Sequence, residues 1–261
     1  MKTENIKIIP KWRKSKNEIW NEVFSDLEDA ESTPKMIRLP FWKYAAAAVV
    51  AMMIAGASFA YLYTVTETAV RGAHVAVTLP DGSNVNLNAE SKLTYKPFLW
   101  FASRNVALNG EACFDVKPGS RFIVKSGQNQ VKVLGTGFNV FARAEKYSVT
   151  CITGKVEVTA NNKQTILTPN MQITLRNGKL EITETADAAQ SIGWTQNKFV
   201  FIGVPLTEVV KEIERQYDIR VVTASNMDYF YTGNFLKTKE PEAALEIIGK
   251  PFGISFTIKP R

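Results

Sequence analysis

The side chains that most often carry out chemistry are few in this sequence of 261 residues. Its one histidine is His74, and its two cysteines are Cys113 and Cys151. His74 stands directly before a predicted strand, where a surface or packing role is favoured over catalysis. No Cys/His group has the spacing of a zinc site, so the sequence predicts no metal ligand.

Nucleotide and acid–base chemistry find equally little support. The sequence has no Gly-Lys-Ser/Thr phosphate loop, and Gly135-Thr136-Gly137 is interpreted as a strand turn rather than a nucleotide site. Asp81, Glu111 and Asp115 fall in turns and on strand faces, and their positions give no reason to pair them for proton transfer. We therefore predict no enzyme, no catalytic residue and no cofactor.

The charge pattern argues against a nucleic-acid partner. The net charge is +7, and the basic residues are spread along the chain. No Lys/Arg run is interleaved with aromatic residues in the way that tracks a phosphate backbone. Direct nucleic-acid binding is not predicted.

An apolar segment near the N-terminus is long enough to cross a membrane. No residue between Lys43 and Glu67 carries a charge, and about 20 apolar residues cross the hydrocarbon core. We predict a transmembrane helix over residues 44–64, with Tyr44 and Thr64 at its ends. A buried core helix is the alternative. A cleaved signal peptide is disfavoured because a long polar stretch precedes the apolar run.

The basic residues that flank this segment predict its orientation. Lys35, Arg38 and Lys43 precede it, whereas Arg71 alone follows closely. Because the more basic flank stays in the cytoplasm, residues 1–43 are predicted to be cytoplasmic and the C-terminal part to lie outside.

The polar segment before the membrane helix contains one amphipathic stretch, predicted to be a helix over residues 16–30. Its apolar stripe consists of Ile19, Val23, Phe24 and Leu27. Ser15 or Asn17 is the predicted N-cap. A segment of this length buries little core, so the stripe needs a partner. A solvated, partly disordered tail is the alternative.

From Ala73 onward apolar residues alternate with small or polar ones, which is typical of strands. Leu79-Pro-Asp-Gly82 matches a type I turn and predicts a hairpin, and Asn161-Asn162 and Asn177-Gly178 predict two more. Further short strands are predicted at 105–108, 112–116, 121–124, 131–134, 138–142, 147–152 and 155–159. The glycines interpreted as strand-end residues with positive φ are Gly82, Gly110, Gly135 and Gly154. A sandwich, a jelly roll and a solenoid-like β-domain all fit.

The two cysteines allow a disulfide test, because the outer compartment is oxidising. Ala112 and Phe114 share the apolar face of their strand, so Cys113 points the other way, whereas Cys151 shares an apolar face with Val149. Opposite faces make pairing awkward unless the strands lie in different layers. Two unpaired, buried or half-buried thiols are the favoured interpretation.

The last part of the chain has a different pattern. Residues 183–191 are polar and Ala-rich, and they are predicted to be a linker. Strands at 199–201, 220–222, 229–235 and 254–258 then alternate with helices that open at Pro205 and Pro241, in the order β-α-β twice. Gly249 and Pro251 are the predicted C-cap and stop of the second helix.

The fold class that follows is mainly β, with a small α+β C-terminal module and one transmembrane helix. The predicted divisions are 1–43, 44–64, 70–183 and 192–261.

Four motifs follow one another in the predicted β-domain: VTLPDGSNVNLNAESKLTY at 77–95, RNVALNGEACFDV at 104–116, VKVLGTGFNV at 131–140 and GKVEV at 154–158. In this order they resemble the motifs of the FecR family of membrane-anchored anti-sigma factors. Trp194, the Phe199-Val-Phe201 run, Pro205-Leu206 and Tyr217 resemble a C-terminal module often attached to this family, which is similar to the signalling fold of outer-membrane transducers.

The resemblance implies a function in signal transduction and transcription regulation at the bacterial inner membrane. The cytoplasmic segment would bind an extracytoplasmic-function sigma factor, and the periplasmic part would receive a signal from a TonB-dependent outer-membrane transducer. Site proteases would then release the sigma factor. Family members usually have a longer helical cytoplasmic domain than the 43 residues here. Trp12, Trp20 and Phe24 are the candidate partner contacts.

A second hypothesis is an anchored envelope module that binds a glycan or cell-wall polymer. It rests on the aromatic cluster Phe98, Trp100 and Phe101, which equally fits a core. Glycan binding by the outer part would favour it.

Overall fold

The protein was analysed as a computed structural model that describes residues 11, 13–28, 41–144 and 146–259. The chain divides into two compact units, residues 1–54 and 55–261. The α-helices are α1 Lys16–Glu28, α2 Phe41–Leu62, α3 Leu206–Tyr217 and α4 Pro241–Gly249. Short 3-10 helices lie at Pro97–Leu99, Ala188–Gln196 and Lys250–Phe252. The predicted fold class is confirmed.

Helix α1 begins where a reciprocal cap satisfies its first backbone donors. The Glu18 N–H donates to Ser15 Oγ at 3.2 Å, and the Ser15 N–H donates to the Glu18 carboxylate at 2.7 Å. This pair of bonds is a capping box. Of the two predicted caps, Ser15 is therefore the one used.

Helix α2 contains residues 44–62 of the predicted segment 44–64. Its 22 residues give a length of about 33 Å, which matches the hydrocarbon thickness of a bilayer. Residues 42–62 have a mean hydropathy of 2.0, and none of that stretch is buried. Tyr44 lies in the first turn of α2, and Thr64 follows two residues after its end.

Thirteen strands after α2 form one sheet, the β-domain. They are β1 Val65–Ala69, β2 Val75–Thr78, β3 Asn84–Leu87, β4 Ser91–Tyr95, β5 Arg104–Asp115, β6 Phe122–Ser126, β7 Asn129–Val133, β8 Gly137–Arg143, β9 Lys146–Thr153, β10 Val156–Ala160, β11 Lys163–Leu167, β12 Met171–Arg176 and β13 Lys179–Glu184. The main strand order is β11-β10-β7-β6-β5-β8-β9-β12-β13. The sheet curls so that both halves contribute to one apolar core, where the rings of Phe114 and Phe138 stack at 4.9 Å.

The central strand β5 corrects a prediction. Residues 105–108 and 112–116 were expected to be two strands, but Arg104–Asp115 is one strand of 12 residues. Its first part pairs with β4 and β6, and its second part pairs with β3 and β8. Gly110 lies at the changeover with φ +112°. It is therefore inside a strand and not at a strand end, because the strand must bend there to pass from one half of the sheet to the other.

All three predicted hairpins are confirmed. The β2–β3 turn closes with the Gly82 N–H donating to the Leu79 carbonyl at 2.8 Å. Asn161-Asn162 joins β10 to β11, and Asn177-Gly178 joins β12 to β13. The two central residues of each of these turns have positive φ, as a type I′ turn requires.

Cys113 is half-buried, Cys151 is buried, and both thiols are free. The prediction of two unpaired thiols is confirmed. Strand β8 lies between β5 and β9, which carry the two cysteines. Two strand spacings amount to about 10 Å, beyond the reach of a disulfide.

The C-terminal module comprises β14 Lys198–Pro205, α3, β15 Arg220–Val222, β16 Phe230–Leu236, α4 and β17 Thr257–Lys259. The strands form two antiparallel pairs, β14 with β16 and β15 with β17, so the strands that flank each helix do not pair with each other. Leu206, Val209 and Ile213 of the predicted α3 stripe are buried in the module core.

Two local predictions in this region were wrong. Residues 183–191 are not a free linker, since β13 extends to Glu184 and a 3-10 helix begins at Ala188, where Asp187 accepts from the Ala189 N–H. Gly249 ends α4 but keeps right-handed geometry, and the left-handed residue is Gly253. Gly249 is required for space instead, because a Cβ there would collide with the carbonyl oxygen of Ile254.

Candidate functional site

Helix α1 presents an apolar face to its surroundings. The rings of Trp20 and Phe24 lie 4.2 Å apart, and Trp20 and Val23 are each 59% exposed. Isolated helices shorter than about 12–15 residues are marginal in water, so a helix of this length gains stability from a partner that covers the face. The third candidate contact, Trp12, lies outside the described residues.

A second candidate region is the contact between the β-domain and the C-terminal module. Its centre is a group of polar side chains, here called the polar cluster, which consists of Asn88, Glu111, Asn139, Glu212 and Gln216. The first three belong to the β-domain, and the last two belong to α3. Glu212 is half-buried, and the other four are buried.

Hydrogen bonds connect the polar cluster across the contact. Within the β-domain, the side-chain amides of Asn88 and Asn139 donate to the two Glu111 carboxylate oxygens at 2.8 and 2.9 Å. The Gln216 side-chain amide donates both to Asn88 Oδ1 at 2.6 Å and to Glu212 Oε1 at 2.9 Å. The bond from Gln216 to Asn88 thus joins the two parts, whereas its bond to Glu212 lies within α3.

The two carboxylates of the polar cluster have opposite pKa shifts. Burial raises the pKa of Glu111, and the negative charge of Glu212 raises it further. Burial also acts to raise the pKa of Glu212, but Arg215, Gln216 and Arg143 together outweigh it, so that this pKa is lowered. Arg215 forms an ion pair with Glu212 at 2.6 Å. Glu212 is therefore the more readily ionised of the two.

Ion pairs surround the polar cluster at the edges of the contact. Arg71 binds Glu90 of the β-domain and Asp218, which follows α3. On another side Lys146 and Arg176 both bind Glu208 of α3, at 2.9 and 2.7 Å. Opposite charges are thus paired across the contact on two of its sides.

A cavity of about 610 Å³ opens between the β-domain and the module. Its wall includes Phe141, Arg143, Trp194, Phe201 and Glu208. Arg143 donates to the carbonyl oxygens of Ala89 and Glu90 at 2.6 and 2.7 Å. These two bonds lie within the β-domain. The cavity lining also includes Asn88, Glu111 and Glu212, so the cavity lies beside the polar cluster.

Sequence reasoning missed the polar cluster, although its signal was in the motifs. Asn88, Glu111 and Asn139 are polar residues in three different motifs, at 77–95, 104–116 and 131–140. The expectation for Glu111 was a carboxylate on a strand face without a defined partner. Pairing β3 and β8 on either side of β5 brings the three side chains together.

A second motif cluster holds the first hairpin turn in place. Asp81 in the turn forms an ion pair with Arg104, and the Ser83 N–H donates to the Asp81 carboxylate at 2.9 Å. Arg104 also donates to the carbonyl oxygens of Lys117 and Ser120. Burial acts to raise the pKa of Asp81, but the bonds from Ser83 and Arg104 lower it overall. This cluster is structural.

His74 packs at the edge of the contact, consistent with the predicted packing role. Its Nε2 lies 3.0 Å from Gln216 Oε1, and its ring meets Trp194 edge-on at 5.2 Å. Burial lowers the pKa of His74, and the positive charge of Lys237 lowers it further, against an opposing effect of Gln216 and Glu212. The folded protein thus favours the neutral ring.

This shift predicts a pH dependence of stability. Because the pKa is lowered in the folded state, His74 protonates in the unfolded chain first, and the free energy of unfolding falls as the pH drops below about 6.5. The slope for one proton cannot exceed roughly 1.4 kcal/mol per pH unit. Denaturant unfolding of the wild type and His74→Phe across this range measures it. The free energy of unfolding of the variant should depend less on pH than that of the wild type. Equal pH dependence of the two proteins would contradict the lowered pKa of His74.

The aromatic cluster behind the glycan hypothesis does not form one exposed surface. Trp100 is 6% exposed, and its ring packs edge-on against Tyr95 and Phe122 in the β-domain core. Phe98 and Phe101 are 50% and 89% exposed. Trp100 is buried because the 3-10 helix at Pro97–Leu99 turns it inward. The hypothesis loses the residue on which it most depended.

Two known protein families match this chain. The FecR protein family matches residues 64–157, and the FecR C-terminal family matches residues 198–261. The chain belongs to the FecR family. The two matched regions contain the polar residues of the cluster, Asn88, Glu111 and Asn139 in the first and Glu212 and Gln216 in the second.

Solved structures extend the family assignment to the three-dimensional fold. Two crystal structures from Parabacteroides distasonis ATCC 8503, each of a protein assigned as an anti-sigma factor, are similar to this chain. The structure at 2.50 Å is 33% identical with a TM-score of 0.68, and it covers 76% of this chain and 96% of its own. The structure at 1.65 Å is 32% identical with a TM-score of 0.70, and the match covers 76% of this chain and 99% of the other. A comparison with curated proteins finds no match.

FecR proteins are a regulatory, non-enzymatic kind of protein, and signal transduction fits the family. Among the residues that the structure describes, no three His, Cys, Asp or Glu side chains are grouped so as to hold a metal ion. Helix α2 fits a single-pass membrane anchor. The candidate surfaces for a partner are the apolar face of α1 and the surfaces of the β-domain and the C-terminal module.

Proposed function

We propose that this chain is a single-pass anti-sigma regulator that binds an extracytoplasmic-function sigma factor through α1. The observation that carries the proposal is the exposed apolar face of α1, on which Trp20 and Phe24 form one aromatic surface. Aromatic side chains that become buried in an interface supply much of its binding energy. The family assignment gives the class of partner.

The division of the chain follows from this role. Residues 1–43 form the sigma-binding segment, 44–64 the span, 70–183 the FecR-like β-domain and 192–261 the C-terminal module. The excess of Lys35, Arg38 and Lys43 before the span supports a cytoplasmic N-terminus and a periplasmic C-terminal part in the bacterial inner membrane.

The C-terminal module is the part that would meet a TonB-dependent outer-membrane transducer. Its two sheets have only two strands each, so each strand has a free edge that can accept a partner's strand. Large apolar side chains on the β14–β16 sheet are also exposed, with Ile202, Phe230 and Leu236 each at 69–70%. Exposed apolar surface beside a free edge favours protein contact.

The signal would pass from the module to the β-domain through the polar cluster. A partner that pulls on the module strains the bond of Gln216 to Asn88, since this bond joins the two parts. Opening of this contact would prepare the outer part for site proteases, which then release the bound sigma factor into the cytoplasm.

Co-purification tests the sigma-binding step. The full-length chain in detergent, tagged at its C-terminus, should retain an extracytoplasmic-function sigma factor of its own bacterium. Trp20→Ala combined with Phe24→Ala should lower retention at least about tenfold, because each aromatic anchor contributes roughly 1–2 kcal/mol or more.

The matched control is Ser25→Ala, since Ser25 lies on the opposite side of α1 and its replacement keeps the helix. This variant should bind as the wild type does. If the double variant retained the sigma factor equally well, α1 would not be the binding helix.

A further inference from the structure

The loop after β4 exposes aromatic side chains that contribute to no core. This loop, residues 97–101, is called the aromatic loop here. Trp100 turns inward, whereas Phe98 is 50% and Phe101 89% exposed. Exposing two phenylalanine rings to water is unfavourable, because removing apolar surface from water lowers the free energy. Their exposure calls for an apolar environment next to the loop.

The last turn of α2 lies directly against the aromatic loop. The Phe98 ring is 6.1 Å from the Phe59 ring and 5.3 Å from the Tyr63 ring. Lys96, at the start of the loop, donates to the Tyr61 carbonyl at 2.8 Å, and its ammonium group lies 4.4 Å from the centre of the Tyr61 ring. Phe98 therefore sits at the same level as the end of the membrane helix.

Strand pairing makes this position unavoidable. Strand β1 starts three residues after α2 ends, and its first residue, Val65, pairs with Tyr95, the last residue of β4. The aromatic loop follows Tyr95 immediately. The aromatic loop therefore lies at the same end of the sheet as the C-terminal end of α2, and this holds for either orientation of α2 in a membrane.

We propose that the aromatic loop inserts Phe98 and Phe101 into the lipid leaflet in which α2 ends. The loop would contact the boundary between the lipid headgroups and the acyl chains. Aromatic rings are favoured at this depth, and the side chain of a lysine can extend from it to the headgroups. The β-domain then rests on the membrane in a fixed orientation. The inference depends on α2 being a membrane span and not on sigma binding.

A depth-dependent fluorescence measurement tests the insertion. Full-length Phe101→Cys is labelled with an environment-sensitive fluorophore and reconstituted into phosphatidylcholine vesicles, with and without lipids that carry a nitroxide near the top of the acyl chain. Burial raises the pKa of Cys113 to about 12 and of Cys151 to about 11, so at neutral pH an exposed thiol reacts in preference to both.

The control is Gln128→Cys, labelled in the same way. Gln128 lies in the β6–β7 turn. The other end of β6, at Phe122, pairs with the start of β5, which follows the aromatic loop in the chain. Gln128 is therefore at the end of the strands away from the loop. Quenching at position 101 should exceed quenching at position 128 at least about threefold, because only the former reaches the acyl boundary. Phe98→Ser should reduce the quenching at position 101.

Three outcomes would overturn the proposal. Equal quenching at positions 101 and 128 would mean that the loop is outside the lipid. Quenching that is absent in phosphatidylcholine vesicles and appears only in a second set of vesicles containing phosphatidylserine would indicate charge attraction at the surface instead of aromatic insertion. An unchanged signal in the Phe98→Ser variant would mean that the loop does not act as a unit.

Discussion

Replacing Gly110 with valine is expected to destabilise the β-domain by about 4 kcal/mol, from backbone strain and overpacking together. Gly110 has φ +112°, and a Cβ there would lie 2.6 Å from Ser91 Cβ and 2.7 Å from Ser91 Cα. A β-branched residue suits an ordinary strand. The loss therefore reflects the bend of β5 and not its strand propensity.

Thermal unfolding of the full chain in detergent, followed by circular dichroism, measures this effect. A loss of about 4 kcal/mol corresponds to a fall in Tm on the order of 10 °C for a unit of this size. Gly127→Val is the control, since Gly127 also has positive φ, +59°, but nothing lies within 4 Å of the added Cβ. It should cost about 1–2 kcal/mol. Equal losses in the two variants would mean that β5 does not cross between the halves of the sheet at Gly110.

Gln216→Met is expected to uncouple the C-terminal module from the β-domain. Methionine has a similar size and helix propensity, so α3 should remain intact. The variant removes the amide that bonds to Asn88 and Glu212, and unsatisfied buried partners cost about 2–4 kcal/mol together. Hydrogen exchange should become faster in α3 before it changes in β5.

Gln164→Met supplies the control for this prediction. Gln164 is an exposed residue of β11, so its replacement should leave both unfolding and exchange unchanged, within about 0.5 kcal/mol. If exchange in α3 were the same in Gln216→Met and Gln164→Met, the polar cluster would not hold the two parts together, and the proposed relay would lose its structural basis.

The parts of the fold that the sequence predicted are those set by local rules. The Asn177-Gly178 turn, the helical stripe of α3 and the apolar run of α2 each depend on neighbouring residues only. The strand β5 was divided wrongly because Gly110 resembles a turn residue in sequence. Its role as a bend becomes visible only when both sets of partner strands are in place.

The candidate sites were predictable to different degrees for the same reason. Phe24 could be identified because an amphipathic helix shows its apolar stripe in sequence, and Trp20 was named beside it as an aromatic residue outside that stripe. The polar cluster could not, since Asn88, Glu111 and Gln216 are far apart in the chain and meet through tertiary contacts alone. Its β-domain residues were present in the quoted motifs, but the motifs did not reveal what they bind.

Photocrosslinking in living cells tests sigma binding by α1 most directly. A photoreactive phenylalanine analogue is placed at Trp20 or, as the control, at Ser25 in the full-length chain, which is expressed in its own bacterium with the resident sigma factors. The account predicts a crosslink to the sigma factor from position 20 and little or none from position 25. No sigma-factor crosslink from position 20, or equal crosslinking from both, would contradict it.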